Sequence, residues 1–155
     1  MNYVFVLAFG IGIVAGLRSL TAPAVVAWVA HLGWLNLHGL PLAFMGSTPA
    51  VAIFSLLAIG ELIADKLPMI PKRTAPAPLM ARVVIGGLCG ACLCAAMGKS
   101  LLAGALLGGI GGIVGAFLGY SARRRLVNNF HIKDLMVAVC EDVVAIGLAL
   151  FLVSR

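Results

Sequence analysis

Residues 49–68 read PAVAIFSLLAIGELIADKLP, an apolar run that a bilayer would accept, closed by two carboxylates and an ammonium. The apolar part, Pro49 to Gly60, is about a dozen residues, or roughly 18 Å of helix at ~1.5 Å per residue, well short of the ~30 Å of hydrocarbon a span must cross. A membrane helix here therefore includes Glu61 and reaches Asp65. The last apolar stretch repeats the arithmetic. Val143 to Val153 makes only about 16 Å of helix, so Glu141 and Asp142 are drawn inside with it. Four carboxylates are thus expected at membrane depth.

The composition makes lipid the right solvent for this reasoning. Of 155 residues, 63% are apolar and 10% charged, and the mean hydropathy is +1.15, too greasy and too poor in surface charge for a soluble globular domain. The fold class expected is all-α: a polytopic integral membrane protein of about six short transmembrane helices forming one domain over residues 1–155. Apolar segments fall at roughly 3–18, 22–35, 49–67, 79–98, 101–120 and 135–153. The second is short and carries His31, which leaves a re-entrant piece as the alternative to a crossing. The first lacks Lys or Arg before its apolar run and reads as a retained span, not a removed signal peptide. Thr21, Thr48 and Thr74, each just ahead of a proline, mark expected helix starts as hydroxyl caps.

If all six segments cross, Arg18, Lys66, Lys72, Arg73, Arg82, Arg123, Arg124, Arg125 and Lys133 share one side, against Lys99 and Arg155 on the other. The positive-inside rule makes the first side cytoplasmic. The expected location is the bacterial inner membrane, multi-pass, with membrane lipids as partners. The net charge of +6 reads as a topology signal and an attraction to anionic lipid. RRRL at 123–126 is not taken for a nucleic-acid motif, since no solvated domain presents it. Three spans and three spans, halves 1–67 and 79–155 joined by the basic loop 65–78, would form an inverted repeat.

On this topology Glu61, Asp65, Glu141 and Asp142 occupy the cytoplasmic half of the membrane. Asp65 stands one turn after Glu61 on the same face. Ala138, Asp142, Ala145 and Ala149 form a small-residue stripe, which makes Asp142 the inward member of its pair and leaves Glu141 behind it. Arg18 closes the first span and Arg82 opens the fourth at the same end. Charges in lipid cost at least ~2.5 kcal/mol each unless paired, so the carboxylates and arginines are expected to cluster. Two readings stay open: a structural salt-bridge network, or a site that binds a proton, a cation or a charged solute.

The fifth segment repeats Gly at 104, 108, 112 and at 111, 115, 119. The fourth places Gly86, Gly90, Cys94 and Gly98 at the same spacing, and the first offers Ala8, Gly12 and Gly16. Small residues every fourth position let helix backbones approach closely, within one chain or across a homo-oligomer. No Lys-Ser/Thr follows to make a phosphate loop. Cys89, Cys92, Cys94 and Cys140 read as packing residues, not zinc ligands. No cofactor is expected, and no metal is specified. His131 in NNFHIKD reads as solvated surface. No nucleophile motif occurs, so catalysis is not expected, a lipid-headgroup enzyme being the minor alternative.

At Gly16-Leu17-Arg18, at Glu61 with Ala64-Asp65-Lys66 and Pro68, and at Glu141-Asp142, the chain resembles the bacterial membrane family catalogued as domain of unknown function 4126. The likeness covers nearly the whole chain. It implies this span layout and this choice of residues, and no substrate. Where family members often carry an acidic residue after the ADK-x-P stretch, this chain has Met69-Ile70-Pro71.

The expectation is a small transporter or channel-like protein built around Glu61, Asp65, Asp142, Glu141, Arg18 and Arg82. The alternative is a non-transporting lipid-binding or assembly protein in which the same charges lock the helices.

Overall fold

A computed structural model describes residues 3–66 and 75–155. Lys72, Arg73, Thr74 and most of the joining loop lie outside the described residues. The described chain is all helical: α1 (Tyr3–Leu17), α2 (Thr21–His31), a single 3₁₀ turn (Ala43–Gly46), α3 (Thr48–Ala64), α4 (Pro76–Ala96), α5 (Leu101–Phe130) and α6 (Asp134–Val153). Among the described residues, α4, α5 and α6 are long and apolar enough to cross a membrane, whereas α1, α2 and α3 are shorter apolar helices.

Glycine decides the centre of the bundle. α5 packs most extensively on α4 and α1. Gly12 faces Gly108, and Gly16 faces Gly112, Gly115 and Ala116, so α5 runs parallel to α1. Gly86 faces Gly108 and Gly90 faces Gly104, so α5 runs antiparallel to α4. A Cβ at Gly86 would stand 2.6 Å from the Gly108 carbonyl oxygen, closer than Cβ atoms approach a non-bonded neighbour. These backbones can touch only because the side chains are missing, and such contact is the main cohesion between helices where lipid removes the hydrophobic drive. The small-residue stripes thus meet within one chain. Gly98 is the exception: it leaves α4 and turns the chain into α5 at φ 65°.

The remaining helices wrap this core. α6 runs antiparallel to α1, with Leu152 against Gly10, and buries Ala138, Ala145 and Ala149 as its stripe requires. α2 buries Ala22, Val26, Ala27 and Val29 among α1, α3, α4 and α6. α3 returns antiparallel along α2, with the Trp28 indole N–H donating to Ser55 Oγ at 2.9 Å and His31 Nδ1 hydrogen-bonded to the Gly46 carbonyl at 2.9 Å. α3 is the outermost element, burying Ala50 and Val51 while Ile53, Leu56, Leu57, Ile59 and Ile63 face outward. Successive helices therefore alternate in direction, and the ends that carry Arg18, Glu61, Arg82 and Asp142 lie together.

Several boundaries differ from the sequence reading. Thr21 and Thr48 do not cap: both are first helical residues, and Ser47, extended at φ −73° and ψ 151°, accepts from Ala50 N at the start of α3. α4 opens directly on Pro76 after Ala75, with no side-chain cap. In α2 and α3, with proline in the first turn, the cap position, Leu20 or Ser47, falls one residue before the threonine. The second segment is also shorter than drawn, and its 11 residues make ~16 Å of helix. α5 does not stop at 120; its 30 residues reach ~45 Å and end at His131, which takes a left-handed conformation at φ 50°.

Candidate functional site

The site is built on a break in the chain. α1 ends at Leu17 and α2 begins at Thr21, leaving Arg18, Ser19 and Leu20 to join them. A helix end presents carbonyls without partners and a helix start presents N–H groups without partners. Here both are satisfied from other helices. Arg82 Nη1, from the second turn of α4, donates to the Gly16 carbonyl at 2.5 Å. Glu61, from the last turn of α3, accepts from Ser19 N at 2.9 Å, from Ser19 Oγ at 2.6 Å and from Leu20 N at 2.9 Å. Each charge has the sign that the adjoining helix dipole favours, cation at a C-terminus and anion at an N-terminus. The two charges also approach one another, Arg82 Nη2 lying 4.0 Å from Glu61 Oε1.

Arg18 forms the second half of the cluster. Its side chain is fully buried, and its guanidinium bridges two carboxylates from different helices, Nη1 to Asp65 Oδ2 and Nη2 to Asp142 Oδ1. Asp65 is the C-cap of α3, where a carboxylate meets the unfavourable end of the dipole, so Arg18 offsets a local cost as well as a charge. Asp142 sits eight residues into α6, ~12 Å from its start, on the stripe of alanines. The acids keep a little exposure, 10% for Glu61, 12% for Asp65 and 13% for Asp142. Arg18 Nε, by contrast, is buried without a hydrogen-bond partner among the described residues.

Four helices and a linker thus converge on two arginines and three carboxylates. The sequence profile described as Domain of unknown function (DUF4126) matches residues 5–154. The chain belongs to this family. No curated protein and no solved structure matches it. The match in this DUF4126 chain runs across all six helices and takes in every residue of the cluster.

Of the six residues singled out in the sequence, Arg18, Glu61, Asp65, Arg82 and Asp142 come together. Glu141 lies on another face of α6. One residue is about 100° of helix rotation, and Glu141 instead lines an apolar cleft of about 230 Å³ between α5 and α6, with Leu17, Val137 and Cys140. Cys89, Cys92 and Cys94 are buried, whereas Cys140 is exposed. Among the described residues no group of three or more His, Cys, Asp or Glu is placed to hold a metal ion. Ser19, the Leu20 amide and the Gly16 carbonyl were missed. The signal was Pro23, which marks a helix start, and with it a set of amides that need an acceptor.

Proposed function

We propose that this DUF4126 protein is a small multi-pass transporter or channel-like protein of the bacterial inner membrane, whose cluster binds a proton, a cation or a charged solute in competition with Arg18. One observation carries the reading: a fully buried guanidinium, Arg18, is shared by two carboxylates from separate helices at a chain break. A proton or cation that takes one of these carboxylates competes directly with Arg18, and burial makes each such exchange sensitive to charge. Discontinuous helices that offer their ends to charged groups are a recurring way to build such sites.

The roles divide. Glu61 accepts three hydrogen bonds and acts as the lock on the α2 start. Asp65 and Asp142 share Arg18 and are the exchangeable pair. The chain passes back and forth six times in this reading, α2 and the segment that follows it together making the second pass; the alternation of direction supports it and also supports two inverted halves of three. The cluster end carries Arg123, Arg124, Arg125 and Lys133, so it faces the cytoplasm.

The test is ion flux in proteoliposomes read by a pH-sensitive dye and by cation-dependent charge movement. Asp65→Asn with Asp142→Asn abolishes flux in a protein that remains folded; flux equal to wild type in the double variant refutes the assignment. The second reading, a lipid-binding or assembly protein locked by a structural network, rests on the sealed Arg18 and the saturated Glu61. It requires the neutralising variants to lose thermal stability, and a double variant as stable as wild type counts against it.

A further inference from the structure

The last ten residues of α5 have no role in the cluster, yet their geometry is specific. From Leu101 to Tyr120 is ~29 Å of helix, close to the hydrocarbon thickness. Tyr120 therefore stands at the interface, and Arg124 one turn beyond it at headgroup level. Leu106, Ile110, Ile113 and Phe117 are all exposed, and their spacing continues through Tyr120, Arg124 and Asn128 as one helix face. An apolar stripe ends in an aromatic ring and then in cations.

The three consecutive arginines are not equivalent. Arg123 is engaged by Asp134, its Nε and Nη2 donating to the two carboxylate oxygens at 2.8 and 2.7 Å. That pair raises the Arg123 pKa further and ties α5 to the start of α6. Arg124 and Arg125 have no ion-pair partner among the described residues. With Tyr120, Ser121, Asn128 and Asn129 they line a shallow polar recess of about 380 Å³. Two unpaired guanidiniums, two carboxamides and two hydroxyls supply donors and no fixed negative charge.

We infer that this recess is a binding site for the headgroup of an anionic phospholipid, with one acyl chain lying along Phe117, Ile113 and Ile110. The phosphate is held by Arg124 and Arg125, which match its oxygens as forked donors. The glycerol or headgroup hydroxyls meet Asn128 and Ser121. The continuity of the recess with the lipid-facing stripe selects a lipid phosphate over a soluble one. Arg123, tied to Asp134, holds the platform in place. The inference does not depend on the transport reading, because binding is read without flux.

The test is native mass spectrometry of the full chain in detergent, with phosphatidylglycerol and phosphatidylcholine added in competition. Wild type and a Lys99→Gln control at the opposite end retain phosphatidylglycerol preferentially. Arg124→Gln with Arg125→Gln lowers that preference by about 25-fold, at about fivefold per arginine near an anionic surface, and the double Lys variant restores part of it. Both side chains are exposed, so the variants keep the wild-type melting temperature. An unchanged preference in the double Gln variant overturns the inference. So does displacement of the lipid by millimolar inorganic phosphate, which assigns the recess to a soluble anion.

Discussion

Replacing Arg18 by Met keeps much of the volume of a fully buried side chain and removes the one cation that Asp65 and Asp142 share. The two carboxylates then lose the guanidinium that bridges them. Breaking a buried pair by deleting one partner costs about 3–5 kcal/mol, because the remaining charge stays desolvated. The acids retain 12% and 13% exposure, so water and proton uptake relieve part of this and the lower end applies, about 3 kcal/mol. At 2–4 °C per kcal/mol for a chain of this length, the melting temperature falls by about 10 °C. The assay is thermal unfolding in detergent followed by tryptophan fluorescence. Because the loss is electrostatic, the triple variant Arg18→Met, Asp65→Asn, Asp142→Asn recovers at least half of it, which a packing defect would not. An Arg18→Met protein that melts with wild type would refute the claim that the arginine joins α3 and α6 through the break.

Other outcomes follow from the same geometry. Gly86→Leu drives a side chain into the Gly108 backbone, where even a Cβ meets oxygen at 2.6 Å, and lowers stability by about 1–3 kcal/mol. Gly147→Ala has nothing within 4 Å of its new Cβ and raises helix stability by about 0.5–1 kcal/mol; thermal melts of the two variants side by side check both signs. In a cysteine-free background, Lys133→Cys reacts with an impermeant maleimide from the cytoplasmic side and Lys99→Cys from the opposite side. Labelling of both from one side contradicts the alternation of α4, α5 and α6.

The acids of the cluster were legible in the sequence because the apolar stretches 49–60 and 143–153 are too short for a span without the carboxylates beside them. Asp142 was separable from Glu141 by the alanine stripe alone, since a one-residue step on a helix changes the face. The stripes of glycine announced close contact but not its address: spacing cannot say whether Gly108 meets Gly86 of the same chain or of another. The role of Glu61 was invisible, because its partners are the backbone amides of Ser19 and Leu20, which carry no signature in side-chain chemistry. The length of α5 was underestimated for a physical reason. Its hydrophobic pattern ends near Tyr120, but helical hydrogen bonding continues through the arginines until His131 turns left-handed.

Labelling by a hydrophobic carbodiimide in native membranes is the most direct probe of whether Asp65 and Asp142 exchange Arg18 for a proton, because the reagent modifies carboxyl groups that take up protons in apolar surroundings. Peptide mass analysis should find the adduct on Asp65 or Asp142, diminished when an added cation competes and left intact by Glu61→Gln. Adducts confined to Asp134, whose side chain is 61% exposed, with Asp65 and Asp142 unmodified, would mean that Arg18 never releases its acids and that the cluster is a structural joint.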